Sequence, residues 1–349
     1  MIISKTLWGQ TPDGKKIYKY RMTNTTGAYV ELTNIGACIT TIAIPDRDGE
    51  LADVVLGFDN PLTYIGDPTA SGKTAGRFAN RIAKGQFVLD GKTYQLPINN
   101  GPNSLHGGPE GFQNQIWESR VIDGDIEFLY DSPDGDCGYP GNLKSVVRYH
   151  WGDDNALTIT FTAETDAPTV INLINHAYFN LDGEGCGDIK EHVLKLNASE
   201  YLISDEWLIP SGEIVPAAGT PMDFANEKPL GRDLFLDFPS LNNGKGYDAT
   251  WVIDGYQEGQ LQSAAELYSP KSGRALEVLT TQPGVHVYTG NFVGGSPGGK
   301  NGHVYQDYGA VAIECQHFPN SPNIPEFPST VLRPGETYQQ AVIYAFSVR

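Results

Sequence analysis

Two polar stretches set among strand-forming residues are the places where this chain could do chemistry. Residues 310–318 alternate with period two, which places Glu314 and Gln316 on the same face as two alanines. A carboxylate inside an apolar strand is costly unless it has a partner or faces water. Glu314 is therefore either an edge-strand carboxylate on a wet face or a general base near a cation.

The second stretch, residues 169–181, threads three asparagines, a histidine and a tyrosine through β-forming residues. Amide side chains usually occur in turns, so this density suggests polar groups that converge on a ligand. His176 and Tyr178 are its candidates, although a lone histidine is more often a satisfied structural group.

Further candidates follow from single residues. His106 precedes two glycines, which permit close backbone approach and unusual φ values. Asn80 adjoins Arg81, whose guanidinium suits a hydroxyl, carbonyl or carboxylate. Asp248 and Gln282 are polar groups beside aromatic or turn residues, and on spacing alone these signals are weak. The remaining histidines are interpreted as structural or surface groups: His150, His192, His286, His303 and His317.

Strands must position these candidates, because period-two alternation dominates the chain. A hairpin is predicted at residues 87–94, where Asp90-Gly91 can adopt positive φ. A longer irregular reversal is predicted at 131–141, and a short helical stretch at 229–236. The clearest half-buried strands are predicted at residues 157–163, 276–280, 285–289 and 341–346.

No linker, repeat or shift in composition divides the chain, so we predict one all-β domain over residues 1–349. Many evenly spaced strands imply two packed antiparallel sheets, a large β-sandwich, or a closed barrel. Either architecture offers a concave face for a ligand.

The composition disfavours several classes of function. The 349 residues include 24 lysines and arginines against 42 acidic residues, and the net charge of −18 repels nucleic acids and anionic membranes. We expect neither secretion nor membrane insertion, because residues 1–6 show no apolar segment behind a basic one and nowhere do 18 apolar residues run together. The four scattered cysteines lack metal-ligand spacing and are interpreted as free thiols of a cytoplasmic protein. We expect a neutral small-molecule substrate, no metal, and no nucleic-acid or membrane partner.

From about Gly72 to the C-terminus, the chain resembles the aldose 1-epimerases, or galactose mutarotases, in motifs that run in the family's order. The first 71 residues fit less specifically. The resemblance implies a galactose mutarotase-like β supersandwich that interconverts the anomers of free hexoses such as galactose and glucose without a cofactor, as a monomer or homodimer. The motifs are GRFANRIAKG, PNSLHGG, SPDGDCGYPGNL, INLINHAYFNL, SGEIVPAAGTPMDF, TTQPGVHVYTGNF and IECQHFPNSPNIPEFPSTVLRPGETY.

The resemblance also implies roles for individual residues. Glu314 in IECQHFP matches the family's general base, and His176 in INHAYFN matches its general acid. Two positions depart from the family's pattern, since Ala177 replaces a serine and Ala249 replaces a histidine. The implied sugar contacts are Asn80, Arg81, His106, Tyr178, Asp248 and Gln282.

Ring opening of a pyranose requires that a base takes the C1 hydroxyl proton while an acid protonates the ring oxygen, and we expect the two groups on opposite sides of the hemiacetal. Rotation about C1–C2 and reclosure then yield the other anomer. A glycoside hydrolase that pairs Glu314 with Asp248 is the first alternative. A non-catalytic carbohydrate-binding homologue is the second, and an epimerase of hexose 6-phosphates lacks its expected cationic residues. The sequence leaves the preferred aldose open among galactose, glucose and xylose.

Overall fold

Short antiparallel strands joined by tight turns build most of the protein. The computed structural model describes residues 1–296 and 298–349. The strands of the first half, in chain order, are β1 (Ile2–Gln10), β2 (Lys16–Thr23), β3 (Tyr29–Thr33), β4 (Cys38–Pro45), β5 (Leu51–Asp53), β6 (Thr74–Ala75), β7 (Arg81–Ile82), β8 (Gln86–Leu89), β9 (Lys92–Gln95), β10 (Ser104–Leu105), β11 (Glu118–Ile122), β12 (Asp125–Ser132), β13 (Leu143–Trp151) and β14 (Ala156–Thr165).

The second half continues in the same manner. Its strands are β15 (Thr169–Val170), β16 (Ile174–Asn175), β17 (Tyr178–Phe179), β18 (Val193–Leu196), β19 (Glu200–Ser204), β20 (Pro210–Pro216), β21 (Lys228–Pro229), β22 (Asp248–Val252), β23 (Gln262–Tyr268), β24 (Arg274–Thr280), β25 (Gly284–Tyr288), β26 (Val311–Gln316), β27 (Val331–Leu332) and β28 (Tyr338–Val348). All four clearest sequence-predicted strands are therefore confirmed as β14, β24, β25 and β28.

Helical structure is sparse in the described residues. The α-helix α1 spans Pro239–Gly244. The helical stretch predicted at 229–236 is wrong in extent, because only the 3₁₀ turn Leu230–Arg232 forms there. The amides of Leu230 and Gly231 donate to backbone carbonyls of residues 190–192. These amides are therefore not free to form the hydrogen bonds of a helix. The remaining 3₁₀ turns are Pro61–Tyr64, Ala83–Gly85, Phe112–Asn114, Asp136–Gly138, Lys300–Gly302 and Ser321–Asn323.

The largest sheet has nine strands, in the order β11-β12-β13-β14-β28-β24-β23-β18-β21. A six-stranded sheet has the order β17-β26-β25-β22-β19-β20, and a five-stranded sheet runs from β1 to β5. The remaining strands form two-stranded pairs, among them the predicted hairpin β8–β9. Its turn residues Asp90 and Gly91 have φ values of 51° and 77°, as a tight hairpin requires.

One apolar face of the nine-stranded sheet carries the core. Phe128 and Val147 are register partners on this face. Phe128 packs edge to face against Tyr20 of β2, with ring centroids 5.9 Å apart, and Tyr344 of β28 packs against Phe179 of β17 at 5.0 Å. The five-stranded and six-stranded sheets therefore both pack against the nine-stranded sheet, and the predicted large antiparallel β-sandwich is confirmed.

Alternation in the six-stranded sheet separates core from site. Val285, Val287 and Ile313 belong to the apolar core. His286 lies between Val285 and Val287, and Glu314 lies between Ile313 and the core residue Cys315, so both face the other side of the sheet. Since β26 lies between β17 and β25, Glu314 is on an interior strand, and the edge-strand interpretation is wrong.

Two features bear on the expected chemistry of the chain. All four cysteines are free thiols, of which Cys38 and Cys315 are buried. Across residues 1–296 and 298–349, no helix has both the length and the apolar character needed to cross a membrane.

Candidate active site

A cleft of about 430 Å³ opens on the face of the six-stranded sheet that points away from the core. Elements distant in sequence supply its walls. Seven of the eight candidate residues line it: Asn80, Arg81, His106, His176, Tyr178, Asp248 and Glu314.

Strand register places the polar side chains of the floor. A first row of register partners crosses the sheet through Asp248 of β22, Tyr288 of β25 and, beyond β26, Tyr178 of β17. A second row, two residues along each strand, contains His286 of β25 and its partner Glu314 of β26. Because residues two apart on a strand share a face, both rows point into the cleft.

His176 occupies the short connection between β16 and β17. Its amide donates to the carbonyl of Lys73 at 2.9 Å, and its carbonyl accepts from the amide of Gly72 at 2.8 Å. The ring lies between those of His106 and Tyr178, with centroid distances of 5.3 and 4.8 Å. The backbone and the flanking rings thus fix the direction of the imidazole.

The imidazole of His176 faces the carboxylate of Glu314. Nε2 of His176 lies 3.4 Å from Oε1 of Glu314, and the two residues are 5% and 2% exposed. The other carboxylate oxygen, Oε2, is buried without a hydrogen-bond partner among the described residues. Buried polar atoms normally have such partners, so this oxygen is suited to accept a hydroxyl from a ligand.

Asn80 and His106 hold each other in place beside this pair. They flank the paired strands β7 and β10, and both adopt left-handed backbone, with φ of 65° and 50°. The amide of Asn80 donates to Nδ1 of His106 at 3.2 Å. Burial, together with nearby His176 and Arg81, holds the pKa of His106 well below its ordinary value. His106 is therefore a neutral imidazole with its proton on Nε2.

The position after His106 requires a glycine for steric reasons. Gly107 has φ of 78°, and a Cβ there would lie 2.0 Å from the carbonyl oxygen of Gly76. No side chain fits this approach, as the glycine pair in the sequence predicted.

Arg81 and Asp248 form the charged side of the cleft. Nη1 of Arg81 lies 3.7 Å from Oδ1 of Asp248, and Nε of Arg81 donates to Asn100 at 3.1 Å. Nε2 of His286 is 2.9 Å from the same carboxylate oxygen. Burial raises the pKa of Asp248, but Arg81 and His286 outweigh it and hold that pKa below its usual value. Asp248 is thus an ionised acceptor.

Gln282 is the one candidate that the structure does not bring to the cleft. Its side chain is fully buried, with Oε1 at 2.7 Å from Nδ1 of His317 and Nε2 donating to the hydroxyl of Tyr338 at 3.3 Å. It lies in the turn between β24 and β25, outside the cleft.

His286, four residues further in the motif TTQPGVHVYTGNF, does line the cleft. Its interpretation as a structural or surface group is therefore wrong. The signal was present, because His286 stands between Val285 and Val287 in an alternating strand, as Glu314 does in its own strand. Tyr288, Asn100 and Phe292 also line the cleft without a sequence signal that singled them out.

The two departures from the family's pattern lie away from the cleft. Ala177 and Ala249 are both buried in the apolar core, and neither lines the cleft.

Together, the fold and the cleft define an all-β protein in which an imidazole faces a carboxylate inside one polar cleft. A model of the aldose 1-epimerase family matches residues 18–345. A galactose mutarotase from Sus scrofa is 41% identical over 346 residues, 99% of each chain, and an aldose 1-epimerase from Escherichia coli (strain K12) is 38% identical over 338 residues, 96% of each. A solved GalM/aldose epimerase homologue from C. elegans superposes with a TM-score of 0.86 at 34% identity, over 94% of this chain and 98% of that one. The chain belongs to the aldose 1-epimerase family.

Proposed function

We propose that this protein is an aldose 1-epimerase that interconverts the α and β anomers of free hexoses by general acid–base catalysis. Membership of the aldose 1-epimerase family supports the reaction class. The observation that carries the residue assignment is the approach of His176 Nε2 to within 3.4 Å of Glu314 Oε1 inside one cleft.

Glu314 acts as the base and His176 as the acid. Glu314 takes the proton of the C1 hydroxyl, the bond between C1 and the ring oxygen breaks, and protonated His176 gives its proton to that oxygen. The product is the open-chain aldehyde. Rotation about C1–C2 and the reverse transfers close the ring as the other anomer, and the base and acid return to their starting states.

The placement of base and acid on opposite sides of the hemiacetal remains a prediction. The nearest atoms of the two side chains are 3.4 Å apart. Both reacting oxygens are bonded to C1, so neighbouring groups can reach them from one edge of the ring. Because Glu314 and His176 are neighbours, one bound sugar can place its C1 hydroxyl near the base and its ring oxygen near the acid.

The remaining groups suit the hydroxyls of a neutral sugar. Asp248 accepts, while Arg81 and neutral His106 donate. Of the described residues that line the cleft, Arg81 alone is a lysine or arginine, and it already faces Asp248. A phosphorylated sugar would find no further fixed positive charge there, so a neutral hexose is favoured.

The hydrolase alternative requires two carboxyl groups that face one glycosidic bond. Asp248 lies two strands from Glu314, across β25, and its Oδ1 is engaged by His286 and faces Arg81. The aldose 1-epimerase family match also favours the epimerase.

Polarimetry tests the assignment. The optical rotation of freshly dissolved α-galactose and α-glucose is followed with wild type, Glu314→Gln and His176→Asn, and with Glu200→Gln, an exposed glutamate, as the matched control. We expect kcat to fall by at least about 10²-fold in the first two variants and not in the control. A near-normal rate in either site variant would overturn its role.

We further propose that residues 1–349 form one folding unit that acts in the cytoplasm. The C-terminal strand β28 pairs with β14 and β24 in the middle of the nine-stranded sheet, which supports a single unit. The four free cysteines support a reducing compartment.

A further inference from the structure

Thr250, His286 and Asp248 form a hydrogen-bonded line along the floor of the cleft. Asp248 and Thr250 lie two apart on β22, and His286 of β25 is the register partner of Thr250. The hydroxyl of Thr250 is 2.8 Å from Nδ1 of His286, and Nε2 of His286 is 2.9 Å from Oδ1 of Asp248. All three residues are more than nine-tenths buried.

The direction of one hydrogen bond is fixed by Asp248, and that of the other depends on the tautomer of His286. Ionised Asp248 can only accept, so Nε2 of His286 must carry the proton of that bond. In the neutral imidazole, Nδ1 is then an acceptor. The hydroxyl of Thr250 can rotate to donate to it, and this bond selects the tautomer that donates to Asp248.

The hydrogen bond from His286 restricts the orientation of the Asp248 carboxylate. Within the described part of the chain, Asp248 makes its side-chain hydrogen bond through Oδ1 to His286, while Arg81 stands at 3.7 Å, beyond hydrogen-bond distance. The second oxygen, Oδ2, stays available for a sugar hydroxyl. Any rotation of His286 would therefore turn the carboxylate that faces the sugar.

We propose that Thr250 is a positioning residue which, through His286, sets the orientation of Asp248 and hence the affinity for the sugar. Thr250 itself is not among the residues that line the cleft, so it acts without touching the ligand. This inference rests on the proposed function of the cleft. Because Glu314 and His176 perform the proton transfers, the effect falls on KM rather than on kcat.

Two variants separate the hydroxyl from packing. Thr250→Val removes the hydroxyl at nearly constant volume, and Thr250→Ser keeps it. We expect Thr250→Val to raise KM for the anomer conversion of galactose by about 3- to 10-fold, the scale of one hydrogen bond, with kcat within about twofold. Thr250→Ser should retain the wild-type KM.

A second measurement reads the hydrogen bond directly. The ring nitrogens of His286 are observed by ¹⁵N NMR and assigned by their disappearance in His286→Gln. In wild type and Thr250→Ser we expect the Nε2-protonated tautomer, with the Nδ1 signal displaced in Thr250→Val. If Thr250 served packing alone and made no hydrogen bond to Nδ1, this signal would stay unmoved.

The outcomes are distinct. An unchanged KM or an unmoved Nδ1 signal in Thr250→Val, or equal impairment of the valine and serine variants, would overturn the inference. Loss of the proposed function itself would instead show as a wild type without mutarotation. Should Thr250→Val fail to fold by circular dichroism, Thr250→Ala against Thr250→Ser supplies the same comparison.

Discussion

The imidazole of His176 and the carboxylate of Glu314 meet at 3.4 Å on the floor of a single cleft, although they lie on different elements of the chain. Glu314 lies on β26, and His176 lies two residues before the start of β17, which pairs with β26. One strand pairing therefore assembles the proposed base and acid. The predictions below follow from this arrangement and from the residues that surround it.

The pH dependence of the rate is expected to fall on both sides. Glu314 must be ionised to accept a proton and His176 protonated to donate one, so kcat/KM should decline in acid and in alkali. The acidic limb should disappear in Glu314→Gln, and the alkaline limb in His176→Asn. Polarimetric rates measured between about pH 5 and 9 check this, and a flat wild-type profile would contradict the assignment.

Neutralising Asp248 should weaken sugar binding. Asp248→Asn replaces a charged acceptor by an amide and leaves Arg81 facing a neutral group. We expect KM to rise by about 10- to 100-fold, the scale of a hydrogen bond to a charged group, with a smaller loss in kcat than for Glu314→Gln. Exposed Asp48 offers the control Asp48→Asn, and an unchanged KM in Asp248→Asn would remove this residue from the binding site.

Acid should destabilise the fold through buried histidines. Burial lowers the pKa of His317 to about 4, below its ordinary value near 6.5. Between these values the unfolded chain binds a proton that the folded chain does not, so the free energy of unfolding decreases as the pH falls from about 6.5 to 4, by at most about 1.4 kcal/mol per pH unit for this group.

Urea unfolding at pH 7 and pH 5 measures this effect, with His317→Gln as the comparison. The variant loses the hydrogen bond to Gln282 and should be less stable at pH 7, yet its stability should fall less steeply in acid. His192, whose pKa burial also lowers to about 4, keeps part of the slope in both proteins. Identical slopes in wild type and variant would refute the contribution of His317.

Gln282 and His286 should respond differently to truncation. Gln282→Ala removes the buried partner of the His317 ring and one of the two partners of the Tyr338 hydroxyl. It should lower the free energy of unfolding by about 1–3 kcal/mol, with little change in KM. His286→Ala should raise KM instead, because His286 faces the cleft and supports Asp248. Thermal unfolding and polarimetry on both variants decide the matter, and a large rise in KM for Gln282→Ala would restore its predicted role as a sugar contact.

Gly107 should tolerate no side chain. In Gly107→Ala, the new Cβ would meet the carbonyl of Gly76 at 2.0 Å and push His106 out of the cleft. We expect loss of activity together with a lower melting temperature. Gly219→Ala is the matched control, since its φ of 76° is similar but no atom lies within 4 Å of the added Cβ. Equal effects of the two substitutions would show that backbone strain alone is responsible.

The sequence predicted most accurately what depends on neighbours along the chain. Alternation identified the strands, and Asp90-Gly91 identified a hairpin. Glu314 was found because a carboxylate interrupts an apolar alternation. His286 also interrupts an apolar alternation. It was interpreted as structural because most lone histidines are, and within the same motif the family resemblance indicated Gln282 as the sugar contact.

Local pattern also misjudged the stretch at 229–236. Leu230 and Gly231 use their amides to bond the neighbouring chain at 190–192, a partner that a local helical period does not reveal. The separation of the proposed base and acid is likewise not a local property, because it depends on how β17 lies against β26.

The all-β character, the family and most of the candidate site residues could be inferred from the sequence alone, since side-chain type and period-two alternation are local properties. Which polar residues share one cleft depends on the three-dimensional packing of the sheets. Strand register across β22, β25, β26 and β17 brings Asp248, His286, Glu314 and His176 together, and the same register leaves Gln282 in a turn behind them. Register is set by the packing of sheets over the whole core, because a shift of one residue would turn every side chain of a strand to the other face.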